Sequence, residues 1–185
     1  DLKPVVISPR MPRSASWLVR WIPINPGTEA AFAMGMLAWI FQNDNFDSAF
    51  LSCANTASAN GMGESSFTAA SYLVKIESGR PSGYLRADDV GLGTRNEFVV
   101  VQNGQPTAVN PDEPISTSAI RGDLYGGFEN DKITARSAFS LLKESILTKT
   151  VEQYAEICGA KADDIALVAE DFAKQLPRRT RLASI

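Results

Sequence analysis

The chain has 185 residues, 44% hydrophobic and 21% charged, with a formal net charge of −3; this is the make-up of one ordinary α/β domain with a core of its own. The mild negative charge gives no bulk electrostatic case for nucleic acid or an anionic membrane. Histidine is absent, which excludes every Ser-His or Cys-His dyad and the commonest zinc ligand. The two cysteines, Cys53 and Cys158, stand too far apart for a metal knuckle or a disulfide framework and read as small buried hydrophobes.

In chain order, "PVVIS" (4–8) is a short apolar run stopped by Pro9 and predicts a buried strand with polar residues at its carboxyl end. "VRWIPI" (19–24) predicts a second, edge-like strand ended by Pro23. Pro26 and Gly27 then form a turn into a helix. Thr28 is its expected N-cap, with the hydroxyl accepting from a first-turn N–H. Glu29 sits where the macrodipole favours a negative charge. From 30 to 41 the sequence AAFAMGMLAWIF has no polar stripe, so both sides of this helix need cover. It is shorter than the roughly 20 residues of a membrane-spanning helix. "FDSAFLSCA" (46–54) predicts a short second helix.

Residues 55–71 are small, polar and Gly-rich and read as irregular surface chain. "YLVKIES" (72–78) predicts a strand, "GRPSGYLRADDVGLGTRN" a loop with one helical turn near "YLRADDVGL", and "EFVVVQNGQPTAVN" a hairpin about an Asn103-Gly104 type I′ turn. The stretch 55–133 therefore reads as an insertion on a core made of 1–54 and 134–185, in a single α/β segment. Residues 134–149 predict a helix with Ala138, Leu141, Leu142 and Ile146 on its apolar face. Residues 150–158 predict another, capped by Thr150 and closed by Gly159. The last helix, 162–176, carries Asp163 and Asp164 in its first turn and a buried stripe of Ile165, Val168, Ala169 and Phe172; Pro177 ends it, and "RRTRLASI" opens a further strand. The fold class expected is α/β: a Rossmann-like parallel or mixed sheet flanked by helices, with an irregular insertion carrying a β-hairpin. The abrupt opening on one strand and close on another read as an internal piece of something longer.

The acidic pairs Asp88/Asp89, Asp112/Glu113 and Asp163/Asp164 lie in loops and helix starts and read as solvation and capping. "GLGTRN" (91–96) precedes a strand, not a helix, so it is no dinucleotide fingerprint. Of the basic clusters Arg10/Arg13/Arg20 and Arg178/Arg179/Arg181, the first follows the end of a buried strand, where ligands sit in open α/β sheets. "ISPR" and "NPGTE" can thus face each other at one sheet edge. Gly27 would let a ligand approach the backbone, Glu29 could accept two parallel hydrogen bonds such as guanine N1–H and N2–H₂ donate, and Arg10 could pair with a phosphate. Chemistry alone leaves the plain alternative standing: a loop-to-helix turn beside surface arginines.

The segments "VVISPR", "WIPINPGTEAAFAMGMLAWIFQNDNFDSAFL", "ARSAFSLLKE" and "TVEQYAEICGAKADDIALVAEDFA", in that order, resemble the molybdopterin oxidoreductases of the dimethyl-sulfoxide-reductase family. The resemblance runs from about Val5 to Leu176, and the middle stretch looks most like the tetrathionate-reducing branch. The family's D-P-R motif falls on Ser8-Pro9-Arg10 and its P-G-T-D motif on Pro26-Gly27-Thr28-Glu29. Both departures concern the acid: Ser8 keeps only a hydroxyl, and Glu29 is one methylene longer than Asp. The resemblance implies that Ser8, Arg10, Gly27, Thr28 and Glu29 hold a guanosine end of a molybdenum-bearing bis-(molybdopterin guanine dinucleotide) cofactor.

It implies no catalytic and no metal-ligating residue in this stretch, with a 4Fe-4S cluster belonging to an N-terminal part not present here. The implied partners are the rest of the catalytic subunit, an iron–sulfur subunit for electron transfer, and a membrane-anchor subunit, with no nucleic acid. The implied location of the parent protein is periplasmic, by twin-Arg export, although no signal is visible in this sequence. The parent would be a respiratory oxidoreductase, with tetrathionate the expected substrate and the piece alone inactive. Two alternatives remain: a stand-alone Rossmann-like nucleotide-binding or interaction module, and a family member reducing thiosulfate, polysulfide or arsenate.

Overall fold

The structure is a computed structural model that describes residues 4–11, 20–111 and 118–174. Arg13, Asp112/Glu113, Pro177, the cluster Arg178/Arg179/Arg181 and the strand expected after it lie outside the described residues. The chain divides into two compact units, one formed by 1–46 with 145–185 and the other by 47–144.

In the first unit β1 (Val5–Ile7) and β2 (Arg20–Ile22) pair in parallel, with Val5 opposite Arg20 and Ile7 opposite Ile22. Chain direction is therefore the same in both, and Ser8 and Pro23 leave the pair on the same, carboxyl, edge. Helix α1 (Glu29–Gln42) packs against α5 (Val151–Cys158) and α6 (Ala162–Ala173). Its buried residues are Phe32, Gly35, Ala38, Ile40 and Phe41. Gly35 lies at the tightest point of that packing. A Cβ there would stand 3.2 Å from the Ile165 side chain and 3.2 Å from Tyr154 Cβ, so the glycine is what lets the helices approach so closely. Phe32 and Phe41 are buried while Met36 and Trp39 are intermediate. Met34, at 42%, is exposed.

The caps of α5 are as local chemistry dictates. Thr150 Oγ1 accepts from Gln153 N at 3.3 Å, Gln153 Oε1 accepts from Thr150 N at 2.9 Å, and Gly159 closes the helix at φ +72°. Tyr154 donates its hydroxyl to Ile146 O at 2.9 Å, which satisfies the polar tip of a buried ring. Helix α6 buries Ile165 and Ala169, but Phe172 is 57% exposed, so the expected stripe stops one turn early.

The second unit begins with α2 (Ser48–Leu51) and α3 (Thr56–Asn60). The latter corrects the expectation of irregular chain: Asn55 supplies a full capping box, its side chain accepting from Ser58 N at 3.0 Å. A four-stranded antiparallel sheet follows in the order β4-β3-β8-β7, from β3 (Leu73–Glu77), β4 (Arg80–Tyr84), β7 (Gly127–Glu129) and β8 (Thr134–Ser137). The hairpin β5 (Phe98–Gln102) and β6 (Gln105–Val109) turns through Asn103 at φ 51° and Gly104 at φ 77°, the two positive values a type I′ turn needs.

Two corrections belong here. Residues 80–84, expected as loop, form β4, a fully exposed edge strand in which Pro81 and Arg80 are tolerated. The helix expected from 134 starts only at 138, as α4 (Ala138–Ile146). Thr134–Ser137 alternate exposed and buried with period two and join the sheet, and Ser137 Oγ then accepts from Ser140 N at 3.1 Å to start α4. In α4 Phe139, not Leu142, is buried. The described sheets are small, and only the β1-β2 pair is parallel, so no single Rossmann-like sheet is formed among the described residues.

The expected helical turn at Ala87–Val90 is a 3-10 helix. Asp89 accepts from Arg86 N at 3.2 Å and faces Lys75 at 3.3 Å, and Glu97 Oε2 accepts from Thr94 N at 2.6 Å and Thr94 Oγ1 at 2.8 Å. Backbone hydrogen bonds from Arg86 and from Thr94, respectively, hold both carboxyls below their ordinary values. A carboxyl with a lowered folded-state value stabilises the fold above its unfolded value of about 4 and loses that contribution as pH falls through the folded value. Denaturant midpoints are therefore expected to decline below about pH 4. In Asp89→Asn and Glu97→Gln the decline is expected to be shallower and the midpoint at pH 7 lower; parallel profiles would remove these two groups as its cause.

Candidate functional site

The turn between β2 and α1 is built around Asn25. Its carbonyl accepts from Thr28 N at 3.3 Å and Thr28 Oγ1 at 2.7 Å, closing a four-residue turn with Pro26 and Gly27 at the corner. Gly27 has φ +77° and nothing within 4 Å of where a Cβ would be; positive φ after proline is the type II arrangement, and glycine takes it without strain. Thr28 occupies the N-cap position but its hydroxyl makes no cap bond. This corrects the expected role: the Asn25 carbonyl takes the hydroxyl hydrogen and aims Oγ1 back into the turn, away from the first-turn N–H groups.

Across the same edge, Ser8 follows β1. Its N–H donates to Ile22 O at 3.2 Å, its carbonyl accepts from Trp21 Nε1 at 2.9 Å, and its hydroxyl accepts from Arg10 N at 3.4 Å. That local bond ties Ser8 Oγ into the bend leading to Arg10. Arg10 and Glu29 are exposed, and neither side chain has a hydrogen bond or ion pair with another described residue. Arg20, grouped with Arg10 by sequence, instead forms an ion pair with Asp164 in the first turn of α6, which also explains that acid. All five expected residues thus belong to two segments leaving one parallel pair at its carboxyl edge. The donor set fits a ligand with adjacent N–H donors and an anionic group: a carboxylate at Glu29, a guanidinium at Arg10 and a bare Cα at Gly27.

Among the described residues no group of three or more His, Cys, Asp or Glu could hold an ion, and Cys53 and Cys158 are both buried. No described helix is long and apolar enough to cross a membrane.

Two contributors to this edge carry no motif. Asn25 N donates to Cys158 O at 2.7 Å and Asn25 Nδ2 to Ile157 O at 3.4 Å, joining the turn to the end of α5. Asp164 removes Arg20 from the available cations. Both contacts span far too much chain for periodicity or spacing to reveal.

No protein-family model matches the chain. It is, however, 41% identical over 172 residues to a selenate reductase subunit of Mesobacillus selenatarsenatis, a match covering 92% of this chain and 16% of that protein. It is 36% identical over 178 residues to a tetrathionate reductase subunit of Archaeoglobus fulgidus, covering 96% of the chain and 15% of the relative. A third relative, the corresponding tetrathionate reductase subunit of Salmonella typhimurium, is 29% identical over 178 residues, with 91% and 17% covered. The chain belongs to the molybdopterin oxidoreductase family. Members of this family are oxidoreductases that generally use a molybdopterin cofactor, and the chain spans about a sixth of the length of the relatives it matches.

Proposed function

We propose that this chain is the part of a larger molybdenum oxidoreductase that holds a guanosine end of bis-(molybdopterin guanine dinucleotide), and that the whole protein reduces an oxyanion of sulfur or selenium. The observation that carries the reading is the match over more than nine-tenths of the chain to reductases named for selenate and tetrathionate. The carboxyl edge of the β1-β2 pair supports the local assignment. In this reading the small parallel pair is part of a larger α/β sheet, because two isolated parallel strands leave both edges open and bury little. The cofactor, when bound, supplies the molybdenum redox chemistry. This chain's residues bind and orient it: Glu29 accepts the guanine N1–H and N2–H₂, Arg10 neutralises a phosphate or holds the ribose, Ser8 and Thr28 line the edge, and Gly27 admits the ligand to the backbone. The rest of the catalytic subunit, with its iron–sulfur cluster, and electron-transfer and anchor subunits are the partners that this reading requires.

The test is cofactor content, not turnover. A lost charge-assisted bidentate contact is worth about 2 kcal/mol, or about thirtyfold in affinity, so Glu29→Ala in the full-length protein is expected to lower retained molybdenum and acid-released guanine nucleotide by up to about thirtyfold under dilution. Glu29→Asp is expected to keep most of both. Wild-type occupancy in Glu29→Ala would overturn the assignment of Glu29.

A further inference from the structure

We propose that Asn25 is a positioning residue for the ligand-facing turn, acting through the carboxyl end of α5, with Gly159 as the counterpart that makes room for it. The inference rests on the guanosine reading of that turn. A helix leaves its last carbonyls without intrahelical partners, and in α5 two of them, Ile157 O and Cys158 O, are taken by Asn25 Nδ2 and Asn25 N. The same residue's carbonyl accepts both donors of Thr28. Asn25 therefore joins the end of α5 to the corner that presents Gly27 and Glu29. Its side-chain amide also lies against Gly159. A Cβ on that glycine would fall 2.8 Å from Asn25 Nδ2, 2.9 Å from Oδ1 and 3.0 Å from Cγ. Gly159 has a second requirement, its φ of +72°. The two requirements are separable, because only the first involves Asn25.

Gly79 supplies the control. It has φ +75° and open space where a Cβ would go, so Gly79→Ala imposes backbone strain without displacing a neighbour.

The experiment uses the full-length protein prepared without its cofactor, GMP as the probe, calorimetric titration, and hydrogen exchange at the backbone amides of positions 25 and 28. Asn25→Ala is expected to weaken GMP about threefold and Gly159→Ala about tenfold, each with faster exchange at both amides. The double variant is expected to recover most of the way to the affinity of Asn25→Ala alone, since removing the amide removes the clash and leaves only the backbone strain at φ +72°; independent structural damage would instead multiply the two losses. Gly79→Ala is expected to change neither readout. Wild-type affinity and exchange in Asn25→Ala, or multiplied losses in the double variant, would overturn the positioning role while leaving the guanosine reading intact. If the wild-type full-length protein does not take up GMP, the guanosine reading of the turn falls and exchange alone decides. Faster exchange in Asn25→Ala and Gly159→Ala but not Gly79→Ala then supports the lock, and unchanged exchange overturns it.

Discussion

Gly35→Leu is expected to destabilise the first unit by about 3 kcal/mol, the upper part of the range for forcing extra carbons into a packed core. The cause is geometric. A Cβ at this position already meets Ile165 Cδ1 and Cγ2 and Tyr154 Cβ at 3.2 Å, tighter than ordinary packing. Three further carbons have nowhere to go unless α1 moves off α5 and α6. Neither neighbour yields easily: Ile165 is fully buried, and Tyr154 is held by its hydroxyl bond to Ile146 O. Gly35→Ala is the informative companion. It gains up to about 1 kcal/mol of helix propensity and has only the tight Cβ contacts against it, so it is expected to fall within about 1 kcal/mol of wild type. Urea midpoints followed by far-ultraviolet circular dichroism distinguish the cases. A Gly35→Leu chain with the wild-type midpoint would mean that α1 does not approach α5 and α6 this closely.

The same helix shows how far the sequence could be read. Its apolar body announced burial on more than one side, and the Pro-Gly turn announced its start, because both are local patterns. The identity of the covering elements was not legible, since α5 and α6 come from the far end of the chain. Legibility elsewhere follows the same division. The Asn103-Gly104 hairpin and the Thr150 and Gly159 caps are set within a few residues and were foreseen. Strand β8 was not: four residues, Thr-Ala-Arg-Ser, carry too little apolar signal to compete with the helical run beside them, and only pairing with β3 and β7 makes them a strand. At the candidate site, the shared edge of Ser8–Arg10 and 26–29 was legible from the rule that parallel strands end together. The hydroxyl of Thr28 was not, because its choice between a first-turn N–H and the Asn25 carbonyl depends on where α5 holds Asn25.

The second large effect is expected at Asn55. This residue is 3% exposed in a stretch that composition marks as surface chain. Its Oδ1 accepts from Ser58 N at 3.0 Å and from Ile120 N at 3.2 Å, and its Nδ2 donates to Ser118 O at 2.9 Å. One amide thus caps α3 and ties 118–120 to it. Beside it, Ala54 N donates to Ile120 O at 3.1 Å and Gly122 N to Ser52 O at 2.9 Å, so the two segments run as an antiparallel pair through the Cys53–Arg121 bridge. Asn55→Ala strands the Ser58 and Ile120 N–H groups and the Ser118 carbonyl at once. Loss of a cap costs about 1 kcal/mol and each buried unpaired group about 1–3 kcal/mol, partly offset where water enters, so a total near 3 kcal/mol is expected. Asn55→Asp separates the contributions. It keeps the acceptor for Ser58 N and Ile120 N but sets a second carboxylate oxygen against Ser118 O, so its loss is expected at neutral pH and is expected to shrink as the acid protonates and can donate. Denaturant titrations of the three chains at pH 7 and pH 4 provide the measurement. An Asn55→Ala loss of only about 1 kcal/mol would show that the residue caps a short helix and nothing more, leaving 118–120 held by the backbone pairing alone.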